Sequence, residues 1–142
     1  MNGFRVEIDG GSWGNPGQAG AGIVLVHPSG QVEEHTVYLG KATNNVAEYA
    51  ALLAALARLS ELGAREITII TDSELLARQL TGQYRVRAAH LASLFRRVQA
   101  LLSRFACWQI LAVPREQNRR ADALARQAIA TRASSLPSPL AP

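Results

Sequence analysis

Near the start of the chain, Phe4-Arg5-Val6-Glu7-Ile8-Asp9 alternates apolar and polar residues until Gly10-Gly11-Ser12 breaks the pattern, which predicts a strand running into a turn. Gly20 to His27 and Gln31 to Leu39 are two more strand-like runs, split by Pro28-Ser29-Gly30, so an antiparallel three-strand meander is expected. The period then becomes helical. From Asn45 to Leu62, Leu52, Leu53, Leu56 and Leu59 recur at three- and four-residue spacing among alanines, and Gly63 supplies a C-terminal stop.

Arg65 to Thr71 is short, β-branched and non-alternating, as expected of a strand buried on both faces. Helical segments follow from Ser73 to about Leu80 and from about Ala88 to Arg104, separated by Thr81-Gly82-Gln83. Cys107 to Val113 reads as a strand that Pro114 stops. Asn118 then caps a last helix whose Ala121, Leu124, Ala125, Ala128 and Ile129 share one face. The order βββαβααβα predicts an α/β fold: a mixed five-stranded sheet, three antiparallel strands then parallel ones, with helices on both faces. The segment 1–132 is read as the domain and 133–142, with Pro137, Pro139 and Pro142, as a disordered tail.

Composition narrows the class. A chain of 142 residues, 48% apolar and 18% charged, is one foldable domain and neither a collagen-like repeat nor a charge-rich disordered segment. No apolar run approaches the ~20 residues of a membrane span, and the N-terminus leads into a strand instead of a signal peptide, so a cytoplasmic protein without a membrane partner is expected. The single cysteine, Cys107, excludes a disulfide framework and reads as a small buried hydrophobe. His27, His35 and His90 show neither metal spacing nor a partner pattern. Tyr49 and Trp108 read as core, and Trp13 either stacks on a sugar or anchors its turn.

The net charge is +4, and Lys41 is the only lysine. Between Leu75 and Phe105 there are six arginines (Arg78, Arg85, Arg87, Arg96, Arg97, Arg104) and no acid, which suits a phosphate-rich partner as well as a solvated helix surface.

Four acids stand at predicted element ends: Asp9, Glu48, Asp72 and Asp122. Each has a structural explanation of its own. Asp9-Gly10 is a turn dipeptide, Asn45 with Glu48 forms a capping box, Asp72 caps the following helix, and Asp122 complements a helix dipole. Together they say more. Glu48 shares a face with Leu52, Leu56 and Leu59 and so points at the sheet, which costs several kcal/mol unless a cation meets it. No lysine or arginine lies within three residues of Asp9, Glu48 or Asp72. Hard oxygen ligands without histidine or cysteine point to Mg²⁺ or Mn²⁺. The glycine-rich segment Gly10 to Gly17 and the segment Lys41-Ala42-Thr43-Asn44-Asn45 offer backbone N–H groups, amides and hydroxyls to a sugar–phosphate backbone.

These residues carry a resemblance. Ile8-Asp9-Gly10-Gly11-Ser12 with Gly14-Asn15-Pro16-Gly17, Thr43-Asn44-Asn45-Val46-Ala47-Glu48-Tyr49, Thr71-Asp72-Ser73, and Asn118-Arg119-Arg120-Ala121-Asp122-Ala123-Leu124-Ala125 resemble, in order, the four signature blocks of type 1 ribonuclease H. The resemblance implies a ribonuclease H-like fold and an endonuclease that hydrolyses the RNA strand of RNA–DNA hybrids, leaving 5′-phosphate and 3′-hydroxyl ends with little sequence preference. It implies two Mg²⁺ ions, with Mn²⁺ as substitute, about 4 Å apart. Asp9 would bridge them, Glu48 and Asp72 would hold the ion that touches the ribose 2′-hydroxyl, and Asp122 would lie on the nucleophile side.

Among substrate-binding positions, the resemblance implies Gly10, Gly11, Ser12 and Ser73 around the cut. It also implies Asn15, Lys41 and Thr43 as a pocket for a DNA-strand phosphate, with Asn44, Asn45 and Glu74 across the minor groove. Two departures matter. The loop Leu111 to Gln117 lacks the histidine of many relatives, leaving Arg115 to assist water activation or product release. Thr81 to Arg87 is too short for the basic protrusion of many bacterial relatives, as in archaeal-like short forms, so weaker, more salt-dependent hybrid binding is expected and double-stranded RNA stays open as a substrate. The competing reading is a hybrid-binding module without catalysis. A monomer is the expected state.

Overall fold

The computed structural model describes residues 3–140, so residues 1, 2, 141 and 142 lie outside the described residues. Its elements are β1 (Phe4–Trp13), β2 (Gly17–Val26), β3 (Val32–Ala42), α1 (Asn44–Glu61), β4 (Glu66–Thr71), α2 (Glu74–Leu80), α3 (Ala89–Leu102), β5 (Cys107–Ala112), a single 3-10 turn (Arg115–Gln117) and α4 (Arg119–Thr131). This is the predicted order, in one five-stranded sheet arranged β3-β2-β1-β4-β5. β2 lies antiparallel to β1 and to β3, whereas β4 runs parallel to β1 and β5 parallel to β4.

Strand β1 outlasts its alternation. Gly10, Gly11 and Ser12, read from sequence as a turn, stay paired with Ala21, Gly20 and Ala19 of β2, and the turn comes at Gly14. An antiparallel neighbour supplies the hydrogen bonds that keep glycines extended where local propensity favours a break.

The pleat sorts the two faces. Val6 and Ile8, with their partners Leu25 and Ile23, are fully buried in a cluster with Leu52, Leu53, Leu56 and Leu59 of α1. Helix α3 packs on the outer side of α1 through Leu91, Leu94, Val98 and Leu102, leaving Arg96, Arg97 and Arg104 exposed. On the opposite face α4 lies over β1, β2 and β3 through Ala121, Ala125, Ala128 and Ile129. Small residues meet small residues there. A Cβ on Gly22 would stand 2.1 Å from the Ala121 carbonyl oxygen, so helix backbone rests directly on strand backbone.

Three expectations are corrected. Strand β4 is not buried on both faces: Ile67, Ile69 and Thr71 are buried, but Glu66, Thr68 and Ile70 are only partly covered because α4 packs over β1 to β3 instead. Cys107 is exposed, since it begins an edge strand. The tail is not loose from Ala133 to Leu140, while its last two residues, 141 and 142, lie outside the described residues. Ser134 and Ser135 hydroxyls accept the Tyr38 and Thr36 N–H groups at 2.8 and 3.0 Å, capping the outer edge of β3, and Leu136 and Leu140 pack against the core.

Beside that edge, Glu33 collects partners that the sequence did not suggest. Arg58 donates to both carboxylate oxygens at 2.9 and 3.0 Å, and His27 and His35 each approach one of them at 2.8 Å. The Arg58 guanidinium is the main reason the Glu33 carboxyl is held down at about 2.

Because a Cβ at Gly22 would overlap the backbone of α4, Gly22→Ala is expected to cost about 1–3 kcal/mol of stability by overpacking. Urea unfolding of the two proteins measures it.

Candidate active site

Pairing of β1 with β4 ends at Glu7 opposite Ile70. Asp9 and Asp72 each lie two residues further on, so the parallel register carries both carboxylates to the same side of the sheet, where the central strands part. The carboxyl ends of parallel strands at such a fork are where open α/β sheets place their sites.

Helix α1 brings the third carboxylate. Its N-cap is Thr43, whose side chain accepts the Val46 N–H at 3.2 Å, so the predicted capping box of Asn45 and Glu48 does not form. Glu48 turns inward instead, 8% exposed like Asp9, and accepts the Gly10 N–H at 2.6 Å and the Thr71 hydroxyl at 3.4 Å. That contact needs a glycine at 10, because a Cβ there would stand 2.1 Å from the Ala47 carbonyl oxygen. Asp72 is likewise not the cap of α2. Ser73 caps it, its side chain accepting the Leu76 N–H at 3.1 Å, which leaves the Asp72 carboxylate free to face the cleft.

Asp9, Glu48 and Asp72 present carboxylate oxygens that all lie within 4.8 Å of one another. Asp122, in the first turn of α4, lines the same cleft beside Asp9. The cleft holds about 510 Å³ and is also lined by Gly10, Gly11, Ser12, Asn44, Asn45, Ser73 and Arg115. The structure thus brings together most of the residues singled out in the sequence.

The others stand nearby or face elsewhere. Asn15 accepts the Asn44 N–H at 3.0 Å, while Lys41 is exposed near the end of β3, two residues before the Thr43 cap. Glu74 pairs with Arg78 and lines a separate hollow with Gln83 and Ala112. The glycine-rich segment does not offer free backbone donors at Gly10 or Ser12, because Glu48 takes the first N–H and the Asn44 Oδ1 takes the second at 3.0 Å. Trp13 is exposed at the rim, not buried as an anchor.

Asn118 is the residue the sequence misread. It stands before α4, but its side chain makes no cap bond; it is fully buried and its Nδ2 donates to the Ile8 carbonyl at 2.8 Å. It therefore ties α4, which carries Asp122, to β1 one residue before Asp9. Its spacing from Ala121, Ala125 and Ala128 on the apolar stripe was the available signal.

Electrostatically the cluster is frustrated. Asp9 is pushed up to about 9, first by burial and then by Glu48 and Asp72. Burial also raises Glu48, against the lowering effect of the Gly10 N–H bond. Asp72 is raised by burial, with Arg115 pulling the other way. No basic side chain pairs with Asp9 or Glu48 among the described residues. Three crowded carboxylates without imidazole or thiolate fit a hard divalent cation, which supplies the missing countercharge.

Known proteins resemble this chain in sequence and fold. The family described as reverse transcriptase-like matches residues 7–128. The crystal structure of RNase H1 from Halobacterium salinarum superposes with a TM-score of 0.86 at 42% identity, covering 90% of this chain and 98% of that one. The chain belongs to the type 1 ribonuclease H family. Another ribonuclease H structure, LC11-RNase H1 in complex with an RNA/DNA hybrid, aligns at 36% identity and TM-score 0.85, covering 91% of this chain and 98% of that one. A bifunctional protein of Mycobacterium tuberculosis is 42% identical over 132 residues, 92% of this chain and 36% of its own length. The chain thus spans about a third of that longer relative, and 62% of the curated Halobacterium ribonuclease HI.

The raised Asp9 carboxyl has a defined sign. Its folded value lies above the ordinary 3.8, so its ionisation costs the metal-free protein nothing below about pH 4 and progressively more as pH rises toward 9. Asp9→Asn is therefore expected to be more stable than wild type at pH 8 in chelator by about 0.5–2 kcal/mol, and so to melt at a higher temperature. The difference should vanish near pH 4 and shrink when Mg²⁺ is added. Thermal melts across pH, with and without chelator, check it.

Proposed function

We propose that the chain is an endoribonuclease that hydrolyses the RNA strand of RNA–DNA hybrids, leaving 5′-phosphate and 3′-hydroxyl ends with little sequence preference. The observation that carries this reading is the trio Asp9, Glu48 and Asp72, crowded where β1 and β4 part with no basic side chain paired to Asp9 or Glu48 among the described residues, beside exposed amides and Arg115. The hybrid-bound relative LC11-RNase H1 supports the substrate.

Asp9, Glu48, Asp72 and Asp122 would hold two divalent ions, Mg²⁺ or Mn²⁺, which when bound would offset the charge on the scissile phosphate and help the attacking water give up its proton. The chain's own groups do the rest. Glu48 is fixed by the Gly10 N–H and the Thr71 hydroxyl, so its carboxylate is set in place before substrate arrives. Asn44 uses its Oδ1 on the N–H and hydroxyl of Ser12, which leaves its amide NH₂ to donate to the minor groove, next to exposed Asn45. At the junction of the β1–β2 turn, the end of β3 and the start of α1, Asn15 spends its Oδ1 on Asn44. Its NH₂, the Lys41 ammonium and the Thr43 hydroxyl proton remain for a DNA-strand phosphate. Contacts of this kind recognise backbone and groove shape, and the ribose 2′-hydroxyl selects the RNA strand.

Arg115 extends from the 3-10 turn into the cleft beside Asp72. A guanidinium stays charged throughout the cycle, so its part is to hold negative charge on the phosphate and ease product departure, not to act as a base.

The test is incubation with Mg²⁺ or Mn²⁺ on labelled RNA–DNA hybrid, double-stranded RNA and DNA duplex, with Asp72→Asn alongside. Cleavage of the RNA strand of the hybrid, lost in Asp72→Asn, is the expected result. Hybrid binding without cleavage would overturn it in favour of a binding module. For Arg115→Ala, kcat is expected to fall on the order of 10²-fold; a rise in KM alone would make Arg115 a phosphate contact only.

A further inference from the structure

The acids of the cleft are unequal in countercharge. Asp9 and Glu48 have no basic partner among the described residues, whereas Asp122 has one of its own. Arg126, one turn further along α4, places its Nε 3.2 Å from the Asp122 Oδ2, and both side chains line the cleft. The pair has the favourable order on a helix, acid four residues before base. It is half open to water, with side chains 30% exposed for Asp122 and 65% for Arg126. Asp122 also stands outside the trio whose oxygens crowd within 4.8 Å.

We propose that Arg126 is the resident counter-ion of Asp122, which a divalent cation must displace in order to load the Asp122 side of the cleft. This rests on the metal-dependent reading above and deepens it. A cation entering among Asp9, Glu48 and Asp72 relieves repulsion and breaks no ion pair among the described residues. A cation shared by Asp9 and Asp122 must break an existing ion pair, and the trio therefore fills at lower metal concentration. Arg126 can yield because its guanidinium lies on a long, largely exposed stem and α4 does not depend on it for packing, which runs through Ala121, Ala125, Ala128 and Ile129. An ion pair this exposed holds the second cation back by about two- to fivefold in affinity.

The experiment is a Mg²⁺ titration of the isotope-labelled full chain without nucleic acid. It follows the backbone amide signals of Asp122 and Asp72 separately by NMR. Arg126→Gln, which keeps length but not charge, is expected to lower the midpoint at Asp122 by about two- to fivefold and leave that at Asp72 unchanged. Arg126→Lys should keep the wild-type midpoints. Arg119→Gln removes one exposed charge from the same helix, away from the cleft, and should also match wild type.

An unchanged Asp122 midpoint in Arg126→Gln overturns the proposal. So does an equal movement of both midpoints that Arg119→Gln reproduces, since that is an effect of net charge alone. So does a chain in which Asp72 titrates and Asp122 responds in no variant. If neither amide responds to Mg²⁺ in wild type, the metal-dependent reading itself fails. Thermal melts of each variant confirm that the fold is intact.

Discussion

Everything in the cleft depends on one close approach, that of the first turn of α1 to β1 at Gly10. Helix backbone lies where a Cβ would have to be, and this proximity lets Glu48 reach the Gly10 N–H from the opposite layer. That hydrogen bond, with the longer one from the Thr71 hydroxyl, fixes the carboxylate of one layer against the strand that carries Asp9. With any side chain at position 10, α1 would lift away from the sheet and the trio of acids would separate.

The same approach makes the site expensive. Hydrophobic packing of Leu52, Leu56 and Leu59 against Ile8 and Ile23 pulls α1 onto the sheet, and Glu48 is carried along with them. Carboxylates that would repel one another at small cost in water are then crowded where little water remains, which is why burial is the main cause raising Asp9, Glu48 and Asp72. Core packing therefore stores the electrostatic tension that a divalent cation relieves. The arrangement trades stability of the metal-free protein for a ready binding site.

Around this centre, other contacts hold α4 in register. Gly22 lets the helix rest on β2, Asn118 ties its start to Ile8, and the segment after it crosses the edge of β3 through Ser134 and Ser135. Asp122 is thus positioned by backbone proximity and buried amide bonding. Its own carboxylate stays partly exposed and, among the described residues, has Arg126 as its ion-pair partner.

The order of elements, the sheet's mixed direction and the four acids were legible in the sequence, because periodicity and end-of-element position are local properties. Glu48 could be aimed at the sheet from its spacing to Leu52 and Leu56 alone, without knowing what it would meet. Partners were not legible where they lie far apart in the chain. Neither Gly10 as the donor to Glu48, nor Asn118 as a tie to Ile8, nor the gathering of His27, His35 and Arg58 on Glu33 follows from spacing. Local propensity also misled at Gly10-Gly11-Ser12, where pairing with β2 overrode a turn signal, and at the tail, where serine hydroxyls found an open strand edge. The sequence by itself determined which chemistry the chain carries and at which ends of which elements. Only the tertiary structure decided which carboxylates share a cation-sized space and which already have a counter-ion, because those distances are set by how closely helix and strand backbones can approach.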